Sequence, residues 1–426
     1  MYRYYALGML ALVYAVSYMD RQIISILLDD LKAEFLLTDT QLGLLSGLAF
    51  AIFYATLGLP IARLADRSNR VGIISIAAAI WSAITALTAT VSSFTQLLIA
   101  RIGVGVGEAG AGPASHAVIS DYFEPHERPL ALSLYSTGVI IGALFGLVIG
   151  GLVAENYGWR TTFVVAGVPG IFLAILVWLT VKEPPRRAAE TKAGSDDDIG
   201  FFAAVAELWQ NKVYRYVNIG HLLAVSFAYS FTAWMPVLFL RQWEVGQAEV
   251  GQIVGLIFFL GGLPGMIFGG VLATKLSKLD RRWEAWVSAL GCFLAIPLYF
   301  YGFSSTSMMS AALILGIGGF FYQCSHGPGM AVLQNSVNPK RRAFAAAFMF
   351  FCSNLVGLGL GPLTVGYISD MQLGTDSAES LAIALKMMIF MLVPAFLAYF
   401  YGGVLWGRMI KQQEANAETV ASEAIQ

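Results

Sequence analysis

The chain has 426 residues, of which 57% are hydrophobic and only 12% charged. A charge content about half the ~25% of soluble domains excludes an ordinary soluble globular protein, and 26 basic against 27 acidic residues leave no basic stripe for nucleic acid. The three cysteines, Cys292, Cys324 and Cys352, stand singly in apolar stretches and imply neither a disulfide framework nor a metal site.

A bilayer-spanning helix needs roughly 20 mainly apolar residues. The first such stretch, 6–28, begins like a signal peptide, with Arg3 before an apolar run. No small-residue cleavage site follows and the run continues, so a retained membrane helix is expected. Eleven more spans follow in chain order: 41–61, 72–91, 94–120, 131–154, 161–181, 213–240, 250–273, 283–303, 308–337, 343–368 and 381–408. The longest polar break, 182–212, carries Glu183-Pro184-Pro185-Arg186-Arg187 and Ser195-Asp196-Asp197-Asp198, with a short surface helix expected over 201–209. It divides an N-terminal bundle (1–181) from a C-terminal one (213–408), and a frayed tail is expected over 409–426. The 44 glycines suit helices packed closely in a membrane.

Basic residues set the direction. With both termini in the cytoplasm, 20 of the 26 Lys and Arg fall on the cytoplasmic side, and only Lys32, Arg160, Arg241 and Lys386 fall outside. Arg21 and Arg101 lie within spans. The expected fold is therefore an all-α membrane protein of twelve helices in two six-helix bundles, multi-pass in an inner membrane, and monomeric.

The halves echo one another. Leu64-Ala65-Asp66-Arg67 after span two parallels Leu272-Ala273-Thr274-Lys275 after span eight, and Gly112-Pro113 in span four parallels Gly327-Pro328 in span ten. Pro125 and Arg128 have counterparts in Pro339 and Arg342. Halves related by an axis along the membrane normal place a substrate site near the midplane between them and support alternating access by rocking.

Charges inside a span are costly and mark function by default. Asp20 and Arg21 in span one and Glu108 in span four reach midplane depth at about 1.5 Å per residue. Arg101, Gly105, Glu108 and Gly112 share one helical stripe, as do Tyr14, Ser17, Arg21 and Ser25. Neighbours on a helix such as Asp20 and Arg21 are poorly placed to pair. Arg21 is therefore expected to reach Glu108 or an anionic head group, with Asp20 at its flank. Burial favours a neutral carboxyl and a nearby guanidinium favours a charged one. An arginine that moves between states would thus make Glu108 and Asp20 exchange protons. The alternative is a permanent ion pair that orients helices. Arg101 is a second candidate charge partner. In the second half, His221, Tyr229, Tyr322, Gln323, His326 and Asn354 are candidates to line a cavity, each equally readable as a packing contact. The glycine pattern over 103–110 is mid-span and lacks the strand that a dinucleotide fingerprint requires. No catalytic residues, cofactor or metal ligands are expected.

Arg63-Leu64-Ala65-Asp66-Arg67-Ser68-Asn69-Arg70 resembles the cytoplasmic signature of the major facilitator superfamily, with Ala62 and Asn69 where glycines are usual. Tyr18-Met19-Asp20-Arg21, the Asp66-to-Arg70 loop, and Arg101-Ile102-Gly103-Val104-Gly105-Val106-Gly107-Glu108-Ala109 followed by Asp121-Tyr122-Phe123 are similar to the Spinster branch. The resemblance covers the first half well and the second in outline. It implies a proton-coupled carrier of a sphingolipid- or lysophospholipid-like amphiphile, and compact loops point to a bacterial member. It also implies that Asp66, with Arg67 and Arg70, forms a cytoplasmic gate that latches the halves when the outside is open. A symporter of a small organic acid or sugar is the alternative carrier, and a non-transporting receptor or scaffold the alternative class. An enzyme is the least expected reading.

Overall fold

A computed structural model describes residues 1–65, 67–124, 126–185, 200–338, 341–372 and 377–423. Asp66, Pro125, Pro339 and the acidic run of the linker lie outside the described residues. All regular structure among those described is helical. The first half comprises α1 (Tyr2–Phe35), α2 (Asp39–Gly43), α3 (Ala49–Ala65), α4 (Arg70–Leu87), α5 (Phe94–Glu108), α6 (Ala111–Tyr122) and α7 (Arg128–Thr180). After α8 (Phe201–Gln210), the second half comprises α9 (Lys212–Trp243), α10 (Gln247–Leu276), α11 (Trp283–Gly302), α12 (Met308–Cys324), α13 (His326–Asn335), α14 (Arg342–Cys352), α15 (Gly361–Met371), α16 (Ser377–Ile389) and α17 (Leu392–Glu423).

Among the described residues, ten helical runs are long and apolar enough to cross a membrane. Two features reduce the number from the twelve expected. Leu130–Thr180 counts as one run of 51 residues, about 77 Å of helix for a hydrocarbon layer of about 30 Å. Gly158 interrupts it with φ 81° and ψ 165°, a backbone conformation that only glycine adopts cheaply. The expected span 94–120 is broken into α5 and α6.

That break has a cause in the sequence. A proline ring collides with the carbonyl four residues earlier and donates no hydrogen bond to it. Pro113 thereby frees Ala109, where α5 stops, and Pro328 frees Cys324, where α12 stops. The Gly-Pro echo thus becomes a matched pair of helix breaks, one in each half. Pro362 follows a π-helical stretch, Ser353–Leu360, in the same way. At the C-terminus the helix runs on to Glu423 rather than fraying after Arg408, because Ala, Glu, Gln and Lys in this tail favour helix.

The chain forms two compact units. One holds Met1–Thr191, Ala228–Phe259 and Asn354–Leu385; the other holds Lys192–Phe227, Leu260–Ser353 and Lys386–Gln426. The core of the first gathers Leu10, Phe50, Ile74, Trp81, Val118 and Tyr135. Lipid tails are as apolar as these side chains, so close packing rather than exclusion of water must hold the helices together. Large apolar residues such as Phe172, Leu176 and Leu179 on α7 are exposed, as a lipid-facing surface requires.

The seam between α1 and α7 shows how close that packing is. A Cβ at Gly142 would collide with the carbonyl oxygen of Ala15, and one at Gly138 would come within 2.6 Å of the carbonyl of Ala11. Gly142→Ala should therefore force the helices apart and cost about 1–3 kcal/mol. Thermal unfolding of the purified protein checks this. Gly8→Ala, where nothing lies within 4 Å, should leave stability unchanged.

Candidate functional site

The charges expected at membrane depth come together in the first unit. α1 carries Ser17, Asp20 and Arg21, and the last residue of α5 is Glu108. Arg21 donates from Nε to Glu108 Oε2 at 2.8 Å, and its Nη2 lies 2.6 Å from the same oxygen. Ser17 Oγ donates to that oxygen at 2.7 Å. Glu108 Oε1 is buried with no hydrogen-bond partner, so one carboxylate oxygen is saturated and the other is free.

Aromatic rings enclose the guanidinium. Its carbon lies 4.5 Å from the ring centre of Tyr54, 4.7 Å from Phe50 and 4.8 Å from Tyr18. Such faces attract a cation most strongly where water is excluded. Tyr14 stacks flat on Tyr135 at 4.5 Å, and His116 meets the other ring of that stack edge-on.

Asp20 is not paired with Arg21. It faces α4 and accepts a hydrogen bond from Thr85 Oγ1 at 3.1 Å, while its Oδ1 has no partner. Arg101 is buried as well, yet it donates from Nε to the carbonyl of Leu45 at 3.3 Å and lies 5.5 Å from the Phe50 ring centre. Leu45 belongs to the π-helical turn Leu44–Leu48, where wider hydrogen bonding leaves a carbonyl available. Arg101 thus braces α5 against the continuous helix formed by α2, the π-helical turn and α3.

The other candidates divide between the units. Tyr229 and Asn354 are in the first, with Tyr229 packed against its core. His221, Tyr322, Gln323 and His326 are in the second. Tyr322 donates from its hydroxyl to the carbonyl of Ala224 at 3.1 Å, Gln323 lies beside Gly262, and the His221 and His326 rings meet at 5.5 Å.

Of the gate residues, Asp66 lies outside the described residues and Arg67 is exposed. Arg70 is buried in a clasp. It pairs with Asp121 at the end of α6, with Glu183 at 2.6 Å, and with the carbonyl of Pro184 at 3.1 Å.

Sequence reasoning missed a second clasp. Arg241, at the end of α9, donates to Asp29 at 2.7 and 2.9 Å and to Asp39 at 2.8 and 2.9 Å. Lys32 and Ser369 Oγ also reach Asp39, at 2.6 and 2.7 Å. Asp370 accepts from the backbone N–H of Asp39 and Thr40 at 3.0 and 2.7 Å, and Gln247 donates to Asp30 at 2.8 Å. A signal for it existed: Asp29, Asp30, Glu34 and Asp39 crowd one end of a helix where few basic residues were expected. Arg241→Met should leave Asp39 short of counter-charge and cost roughly 3 kcal/mol. Thermal unfolding reads this, and Asp39→Asn in the same chain should recover part of the loss.

Comparisons with known proteins show the family and the fold. The family model described as Major Facilitator Superfamily matches residues 10–362. An MFS-type efflux pump of Mycolicibacterium smegmatis is 31% identical over 90% of this chain and 88% of its own length. The sphingosine-1-phosphate transporter SPNS2 of Danio rerio is 27% identical over 86% of this chain and 76% of its own. A crystal structure of a bacterial homologue of the human lysosomal transporter Spinster, inward-facing and unoccupied, superposes with a TM-score of 0.85 at 28% identity. It covers 95% of this chain and 98% of that one.

Proposed function

This chain belongs to the Major Facilitator Superfamily, in its Spinster branch, and we propose that it is a proton-coupled carrier of an amphiphilic anion or lipid. The relatives are transporters and not enzymes. The observation that carries the proposal is the buried Arg21–Glu108 pair with one carboxylate oxygen free. A proton on Glu108 Oε1 cancels the charge that holds Arg21. The released guanidinium, still within its aromatic cage, offers a site for a phosphate or carboxylate head group. Loss of that proton restores the pair and expels the anion. Asp20, with its own free oxygen, is the second proton acceptor.

Our reading of the architecture counts twelve spans, with two helices on either side of Gly158 and with α5 and α6 as one interrupted span. The halves 1–181 and 213–408 rock about the site, both termini face the cytoplasm, and the monomer sits in a bacterial inner membrane. Arg70 then stays within a cytoplasmic clasp, with Asp66 and Arg67 forming the gate beside it. The sphingosine-1-phosphate named for one relative and the efflux named for another support an amphiphilic substrate.

Transport in proteoliposomes under an imposed pH gradient tests this. A fluorescent lysolipid should move with the wild type, and Glu108→Gln should abolish gradient-driven movement while the protein remains folded. Equal transport by Glu108→Gln would remove Glu108 from coupling. Movement of a soluble organic anion without lysolipid would replace the substrate and keep the carrier.

A further inference from the structure

The second unit holds a titratable pair that the mechanism above does not use. His221 on α9 is 3% exposed, and its ring centre lies 5.5 Å from that of His326, the first residue of α13, at 44° between planes. Among the described residues neither imidazole has a carboxylate or another cation as partner. One turn before His221, on the same face, Asn218 is 2% exposed and its amide oxygen has no hydrogen-bond partner.

The surroundings are polar but uncharged. Tyr399 of α17 lies against Gly220 and Gly329, the neighbours of the two histidines in α9 and α13. Cys292 of α11 reaches Ser325, Cys324 of α12 donates its thiol to the carbonyl of Phe320, and Tyr322 donates to Ala224. Tyr214, further down α9, donates to the carbonyl of Ala345 on α14. Phenols and thiols of this kind are neutral at ordinary pH, so none of them fixes the charge of the pair.

The pair stands at the second of the two proline breaks. α1 and α9 are the opening long helices of their halves, and α5–α6 and α12–α13 are the helices broken by the repeated Gly-Pro. Glu108 stands at the first break and meets α1; His326 stands at the second and meets α9. We propose that His221 and His326 form a proton-binding site of the second half, at its Gly-Pro break, which takes up one proton shared between the two rings. Burial opposes charge on either ring, and the neutral ring and the Asn218 oxygen offset that cost by accepting hydrogen bonds from the charged one. A second proton would set like charges side by side and is resisted. The site stands whether or not Glu108 carries the driving proton.

The chain has four histidines, the others being His116 and His126, so isotope labelling of histidine in the full-length protein yields a resolvable set of ring-nitrogen signals. Titration in nanodiscs from about pH 4 to 9 brackets the ordinary imidazole range. His116→Gln and His126→Gln assign the remaining signals. The expected result is that the His221 and His326 signals shift together in one step of one proton, and that His326→Asn separates His221 from that step. Proton uptake measured with a pH dye should be lower by one per chain in the His221→Gln, His326→Asn double variant. Two rings that stay neutral throughout, or that each take up a proton in independent steps, overturn the proposal. The wild-type titration decides the matter even if a variant fails to fold.

Discussion

A charge carried to the middle of a hydrocarbon layer must find its counter-charge there, because water is not available to solvate it. The Arg21–Glu108 pair meets that requirement, and much of the first unit is arranged around it. α1 must lie against the end of α5, so that Ser17 and Arg21 reach one oxygen. The span formed by α2 and α3 must bring Phe50 and Tyr54 over the guanidinium, and Arg101 holds that span through Leu45. α5 must stop where the acid is presented, which Pro113 ensures from five residues downstream.

Two clasps of the first unit gather other charges at the ends of helices. The Arg70 clasp joins the start of α4 to the ends of α6 and α7. The Arg241 clasp joins α1, α2, α9 and α15. Both are multivalent: one guanidinium satisfies several acceptors, and Glu183 and Asp39 each collect more than one donor group. Such networks hold only while every member is in place. The central pair differs from them in leaving one carboxylate oxygen free.

The apolar helices and the central charges were legible because each follows from a local rule: hydrophobic length, and the cost of a buried charge. Helix geometry excluded a pairing of Arg21 with Asp20 and left Glu108 or an anionic head group as its partner; the structure has Glu108. The contrast with Arg101 was not legible. Its stripe places it with Glu108, but its actual acceptor is a backbone carbonyl released by a π-helical turn that no residue pattern announces. The Arg241 clasp was hidden for a different reason. Its partners lie more than 200 positions apart, and charges near helix ends read from sequence as ordinary loop polarity. The proline breaks were visible as a Gly-Pro echo, yet their effect was not, since the broken span still reads as one apolar stretch.

The seam between α1 and α7 has a mechanical consequence. Backbone lies on backbone at Gly142 and Ala15, so a fractional slip along the seam would drive the next side chain into a carbonyl. α1 and α7 therefore behave as a single laminated strut, and Arg21 is mounted on its stiff face. Glu108 is mounted differently, at the last residue before a break where the helical ladder is already interrupted. Of the two partners, the acid has the compliant bearing. Flexing α5–α6 at Ala109 and Gly110 would therefore move Glu108 more cheaply than sliding α1 would move Arg21.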